Sequence, residues 1–440
     1  MPDRTAVMYL LVSAAMLVTT VAVTPQARTL AVTRVSVVDV VDGRIVPNST
    51  VVISGDTITS VTQNGAPPAN AQVVDGLGKF LIPGLWDMHA HVEATRESSL
   101  QLYVANGVTG IRDMGSDLDF ILGVREGTAS GRILGPRIFA AGPILDDAPG
   151  DWPFRLRVKT AAEGRAAVQM LKRRSVDLIK VHDNTSRDVF FAIADEARQQ
   201  TLPLAGHIPR GLTAEQVIEA GQRDIEHLSN GSVWRRCSGG GEYRPDACRP
   251  FFEMLAHRGV WQTPTVAAGS ELGTIGTPAS EISADQMVYA AKSLREVWAG
   301  NQKLFATPET IRALKAGAVV AGVVTKDMAN LGVGILAGCD AMLAGFCVHD
   351  ELVAMVRGGM TPLGVLQTAT LNPARYFGLQ QTHGSVATGK AADLVLLDAN
   401  PLDQIADVRR IRAVIRAGRL LDRKELDSLL SQVKTAARQQ

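Results

Sequence analysis

The sequence predicts an α/β protein built as a (β/α)8 TIM-like barrel, with a small β-sandwich domain formed from both chain ends. Eight short apolar runs carry the barrel expectation: LWDMHAH, GVTGIRDMG, RIFAAGPI, VDLIKVH, LPLAGHI, RDIEHL, VWQTPTV and GILAGCD. Helical runs such as AAEGRAAVQMLKRR and TAEQVIEAG separate them, the rhythm of parallel strands joined by helical crossovers. Eight such units close a barrel whose functional groups collect at the C-terminal ends of the strands. The sandwich expectation rests on alternating Val/Ile-rich segments that flank the repeat on both sides. At 440 residues, 46% hydrophobic and 20% charged, the chain is long enough to bury both cores.

In chain order, residues 1–27 come first as a targeting segment. Arg4 precedes the apolar stretch AVMYLLVSAAMLVTTVAV at 6–23, which fits a cleaved signal peptide or an N-terminal membrane anchor. Either reading implies export, to a periplasmic or secreted destination or to a membrane-tethered one. Residues 28–80 read as short antiparallel strands, broken by Asp42-Gly43 and Gly55-Asp56 turns. Residues 81–385 hold the barrel repeat. Residues 386–422 return to strand texture in GKAADLVLLDANP and IRAVIRAGRLLD, so the two ends are expected to pair as one sandwich. Residues 423–440 read as a C-terminal helix, or a solvated tail.

Within the first barrel strand, His89 and His91 project to one face with Ala90 between them, leaving room for a cation held by both rings. Lys180, His207, His227 and Asp340 recur at the ends of later strands, so residues distant in sequence would face one pocket. Singly, each has a plain reading as a strand, core or ion-pair residue. Six together, in barrel order, predict a metal site. Imidazoles and carboxylates are the ligands zinc favours where thiolates are absent.

The strings IPGLWDMHAH, DLIKVH, AGHIP, IEHL and LAGCDA, with TPLGVLQTATLNPAR and GSVATGKAADLVLLDANPL near the end, resemble the amidohydrolase superfamily. The likeness is strongest to the branch of Xaa-Pro and Xaa-Arg dipeptidases and imidazolonepropionase-like hydrolases. It implies two divalent metal ions, usually Zn2+, with His89, His91 and Asp340 on the more buried ion and His207 and His227 on the more exposed one. Lys180, N6-carboxylated, would bridge them. It further implies hydrolysis of a peptide or N-acyl-amino-acid amide by a metal-bridging hydroxide, with Asp340 as general base and then acid. A ring-opening hydrolase of a cyclic amide, imidazolone or lactone would use the same residues. A deaminase would carry His-x-x-Glu at the fifth strand, where this chain reads His207-Ile208-Pro209-Arg210. A non-catalytic binding protein would be expected to lose ligands, and all six are present.

The partner expected is a small-molecule or dipeptide-like substrate. The formal net charge of +1 gives no electrostatic reason to expect nucleic acid. Membrane attachment would come only from the N-terminal segment, and a homo-oligomer is compatible with the sequence. His182, two residues after Lys180, should share its inward face and is a candidate substrate contact with His349. Arg112-Asp113 reads as a structural ion pair below the metals. Arg235, Arg236, Arg244 and Arg249 crowd the segment after His227, where a guanidinium could clamp a carboxylate. Of four cysteines, Cys237 and Cys248 bracket this Gly/Arg-rich loop and form a candidate disulfide, whereas Cys339 and Cys347 read as small buried residues or free thiols.

Overall fold

Apolar residues at strand periodicity assemble two groups of parallel strands and one mixed sheet. The computed structural model describes residues 29–439 apart from 149–153, 229–232, 234–236, 240–241, 272, 306 and 341. The expected targeting segment at 1–27, and Arg235 and Arg236, lie outside the described residues.

Strands from the two chain ends pair. Leu394–Leu397 pairs antiparallel with Phe80–Pro83, so a strand near residue 80 neighbours one more than three hundred residues later. All eight terminal strands hydrogen-bond into one sheet, with Thr29–Val38 taking Gln72–Asp75 and then Phe80–Pro83 along one edge in parallel. The expectation of purely antiparallel pairing is corrected by those two parallel contacts. Inside this sheet Val32, Val35, Ile53, Ile58, Leu81, Leu394 and Ile415 form their own apolar cluster.

Leu85–Ala90, Val108–Asp113 and Arg137–Ala140 pair in parallel. Their first two members are buried at every position, as strands covered on both faces must be. A second parallel sheet runs Arg155–Arg157, Ile144–Asp146, Ile179–Val181, Leu204–Gly206, Gln222–Glu226, Trp261–Thr263, Gly334–Ile335. Backbone hydrogen bonds link the two groups at both sides: Met88 N–H to Ala337 C=O at 2.8 Å, and Asp177 N–H to Ala140 C=O at 2.9 Å.

The third expected strand, RIFAAGPI, is two strands. Gly142 takes φ +71 between them, a conformation that interrupts a strand and that glycine adopts without strain. Helices fill the connections with ordinary signals: Thr160 caps Ala161–Arg173, and Thr213 with Gln216 closes a capping box on Ala214–Glu219. The C-terminal helix Arg423–Gln439 is no solvated tail. It buries Leu426, Leu429, Val433 and Ala437, spaced along one helical face.

Candidate active site

The C-terminal ends of the parallel strands deliver five of the six sequence-predicted ligands around Asp340. His91 Nε2 lies 3.4 Å from Asp340 Oδ1, His89 Nε2 lies 4.0 Å from the same oxygen, and His227 Nε2 is 3.9 Å from Oδ2. His207 joins through its ring, 4.9 Å from that of His227. Lys180 is wholly buried, and its charge acts on His89, His207 and His227. The Asp340 side chain, 38% exposed, is the most open of the set.

The other nitrogen of each ring is occupied. His89 Nδ1 pairs with Glu226 Oε2 at 2.5 Å, His91 Nδ1–H donates to Gly115 C=O at 2.9 Å, His207 Nδ1 pairs with Asp183 Oδ1 at 2.9 Å, and His227 Nδ1 pairs with Thr265 Oγ1 at 2.7 Å. A proton on Nδ1 leaves Nε2 with its lone pair free, the form in which imidazole ligates a cation. Burial, with the Lys180 ammonium adding to it, holds His89 and His207 well below the usual histidine pKa. Burial also lowers His227, with Asp340 opposing. Burial disfavours charge on His91 too, but the Asp340 carboxylate beside it raises its pKa overall. Asp340, which burial alone would raise, is held well below the carboxylate range by His91 and the neighbouring rings.

Close packing of the backbone makes this convergence workable. A Cβ at Gly338 would stand 2.6 Å from Thr263 Cγ2 and 2.8 Å from His89 Cβ, so only glycine lets the Asp340 segment cross there. His227 and Asp340 both take φ +58, a conformation that costs a non-glycine residue energy and that clusters at functional sites.

One of these orienting groups was open to sequence reasoning. Glu226 and Asp224 alternate with Ile225 on the strand before His227, and Arg112 binds both: Nη2 reaches Glu226 Oε1 at 2.7 Å while Nη1 meets Asp224. The expected Arg112–Asp113 ion pair is therefore wrong. Successive strand residues point to opposite faces, and Asp113 instead accepts from the Val92 and Gly115 N–H groups and the Ser116 hydroxyl. Thr265 and the Gly115 carbonyl carried no such signal.

His182 does share the inward side of Lys180. Its ring lies 3.9 Å from that of His207 and its Nδ1 is 3.9 Å from Asp146 Oδ2, and burial with the Lys180 charge pushes its pKa down to about 3. His349 is not at the site. Its Nε2–H donates to Asn106 C=O at 2.9 Å, on the N-terminal approach to a strand whose other end borders the cluster. Arg244 precedes and Arg249 lies on the helix Pro245–His257, where Arg249 pairs loosely with Glu253 at 3.9 Å. Cys237 and Cys248 are joined. Cys339 and Cys347 are joined too, which corrects their reading as separate thiols: their Cα atoms stand 5.6 Å apart.

The residue set fits divalent cations. Lys180 Nζ is fully buried without a hydrogen-bond partner, a costly state for an amine and one that a cation-bridging modification would relieve. Burial also lowers its pKa, with Glu226 and Asp340 opposing. Donor atoms of His89, His91 and Asp340 lie within 4.8 Å of one another, as do those of His182, Asp183 and His207.

The pattern of the Amidohydrolase family matches residues 80–421. An ochratoxinase from Aspergillus niger is 24% identical over 85% of this chain and 82% of its own length. Among solved structures, a bottromycin amidohydrolase superposes with a TM-score of 0.76 at 24% identity, covering 94% of this chain and 92% of its own. A Xaa-Pro dipeptidase with methionine bound in its active site gives a TM-score of 0.68 at 21% identity, covering 90% and 100%.

Proposed function

The chain belongs to the amidohydrolase family, and on that premise we propose that it is a binuclear metal-dependent hydrolase cleaving the amide bond of a dipeptide or N-acyl amino acid. The observation that carries this reading is the convergence of His89, His91 and His227 Nε2 on the Asp340 carboxylate, together with the buried, partnerless Lys180 amine. His89, His91, His207, His227, Asp340 and a carboxylated Lys180 would hold two divalent cations, zinc being the ion such donors favour. When bound, the cations acidify a water and polarise the scissile carbonyl. Asp340 takes the proton of the attacking water as the new C–O bond forms, and hands it to the amine nitrogen as the C–N bond breaks. His182, partly buried at the edge of the cluster, would contact substrate. Met88 N–H to Ala337 C=O and Asp177 N–H to Ala140 C=O support closure of the parallel strands into the (β/α)8 barrel, and the apolar cluster inside the terminal sheet supports a small sandwich. Export is supported by residues 6–23 and by two disulfide pairs.

The test is elemental analysis of the purified, zinc-reconstituted protein, paired with a screen of dipeptides, N-acyl amino acids and cyclic amides. About two equivalents of metal and turnover of an open-chain amide are expected. Less than about one equivalent with no turnover of any class would sink the reading. Turnover confined to cyclic amides would replace it with ring opening.

Thr265→Val gives a finer check. It keeps the β-branched shape at φ +46 but deletes the hydroxyl paired with His227 Nδ1. Cation affinity is expected to fall about 10–100-fold in chelator competition, because an unrestrained imidazole loses its orientation and tautomer. Unchanged affinity would mean that Thr265 does not orient His227.

A further inference from the structure

Beside His227 lies a cavity of about 330 Å3 whose walls, among the described residues, carry no charged side chain. One wall is a face of the helix Pro308–Asn330 on which Ala313, Gly317 and Ala321 recur every four residues, small side chains that leave the space open. The opposite wall belongs to the site: Leu228 follows His227 in the chain, and Thr265 holds His227 Nδ1 while lining the cavity. We propose that this cavity receives a bulky apolar group of the substrate, an aromatic side chain or a branched or aromatic acyl group. The proposal rests on the hydrolase reading above and names the class of amide that the site takes.

Three features argue for a binding pocket. Its volume falls at the lower end of small-molecule pockets, larger than a methyl group needs and suited to one ring. Its walls are fixed in advance. The Cys237–Cys248 bridge pins Cys237 into the wall, and Tyr243 donates to Asp327 on the long helix at 2.8 Å. Glu351, itself buried, accepts from Val266 and Ala267 N–H at 3.0 and 2.7 Å, holding the start of the wall helix Val266–Glu271. Preformed walls avoid the ordering cost that binding would otherwise carry. Finally, its chemistry complements its neighbour: charged and polar donors cluster around Asp340, and the apolar cavity begins one residue from His227, so an amide could be gripped at the reacting group and sorted by its apolar end.

Gly317 offers a clean way to fill the cavity. A Cβ there meets no atom within 4 Å, and replacing a mid-helix glycine favours the helix by up to about 1 kcal/mol. Gly317→Leu, with Ala318→Leu as a second filling variant, would be compared with the wild type on N-acetyl-glycine, N-acetyl-phenylalanine and N-phenylacetyl-glycine. Placing the ring on either side of the amide covers both orientations. The expected result is a fall of about 10–100-fold in kcat/KM for at least one aromatic substrate in both variants, with N-acetyl-glycine within about twofold. Equal losses on all three substrates, or no loss on either aromatic one, would overturn the proposal. Binding of benzyl alcohol by ligand-observed NMR separates this idea from the hydrolase reading, since it needs no turnover. Benzyl alcohol bound by the wild type and lost in both variants, in a protein that hydrolyses no amide, would overturn the hydrolase reading and retain the apolar pocket. Binding unaffected by filling would overturn the pocket even in an active hydrolase.

Discussion

Arg112→Met is expected to destabilise the protein by about 3–5 kcal/mol, the cost of stranding buried carboxylates without their cation. The guanidinium is fully buried, and burial works against its charge, yet Asp224 and Glu226 hold its pKa above the usual value. Its Nε–H donates to Met88 C=O at 2.6 Å, and Nη2 donates to Glu226 at 2.7 Å and to Thr263 Oγ1 at 3.1 Å, so one side chain ties four parallel strands together. Methionine fills much of the volume and restores none of these bonds. Asp224 is already pushed up to about 7, because burial raises it against the pull of Arg112, with Glu226 adding to the rise. Without Arg112 it rises further. A carboxyl raised on folding binds more protons folded than unfolded, so the variant should lose stability as pH climbs from the ordinary carboxylate range through about 7. Urea unfolding at pH 5 and pH 8 reads this directly. The deficit should be larger at pH 8, and a loss below about 1 kcal/mol at both would show that the carboxylates find other partners.

The strand-end ligands were legible because their signal is local: an apolar run fixes the strand, and period-two alternation fixes the face. His89, His91, Lys180, His207, His227 and Asp340 could therefore be placed without knowing the fold in detail. Glu226 carried the same local signal through its alternation with Asp224, although its role between Arg112 and His89 needed a third strand to be seen. The C-terminal helix likewise shows its buried face in the spacing of Leu426, Leu429 and Val433. What could not be read depends on the path of connections. Cys339 meets Cys347 only because the segment after Asp340 doubles back, and His349 turns to Asn106 because its helix packs there. The apolar cavity is of the same kind. Ala313, Gly317 and Ala321 look like an ordinary small-residue stripe until the helix is laid beside the strand end that carries His227.

Asp340→Asn is expected to cut kcat by about 10²–10⁴-fold, the range for loss of a positioned acid–base group, while metal content stays near that of the wild type. Asparagine keeps the size and one oxygen to face His91, but its amide nitrogen cannot accept a proton from the attacking water or return one to the leaving amine. The backbone makes this the informative substitution. Asp340 sits at φ +58, where asparagine is among the best tolerated residues and alanine is not. Asp340→Ala would therefore mix a strained turn, and a shifted Cys339–Cys347 segment, with the chemical loss; Asp340→Asn isolates the chemistry. The split between kcat and KM sharpens the result, since a group acting only in the transition state lowers kcat and kcat/KM together and leaves KM unchanged. If metal content falls in step with activity and added zinc restores both, Asp340 serves as a ligand alone, and the proton must travel through another group on the rim, with His182 a candidate, its ring 3.9 Å from that of His207.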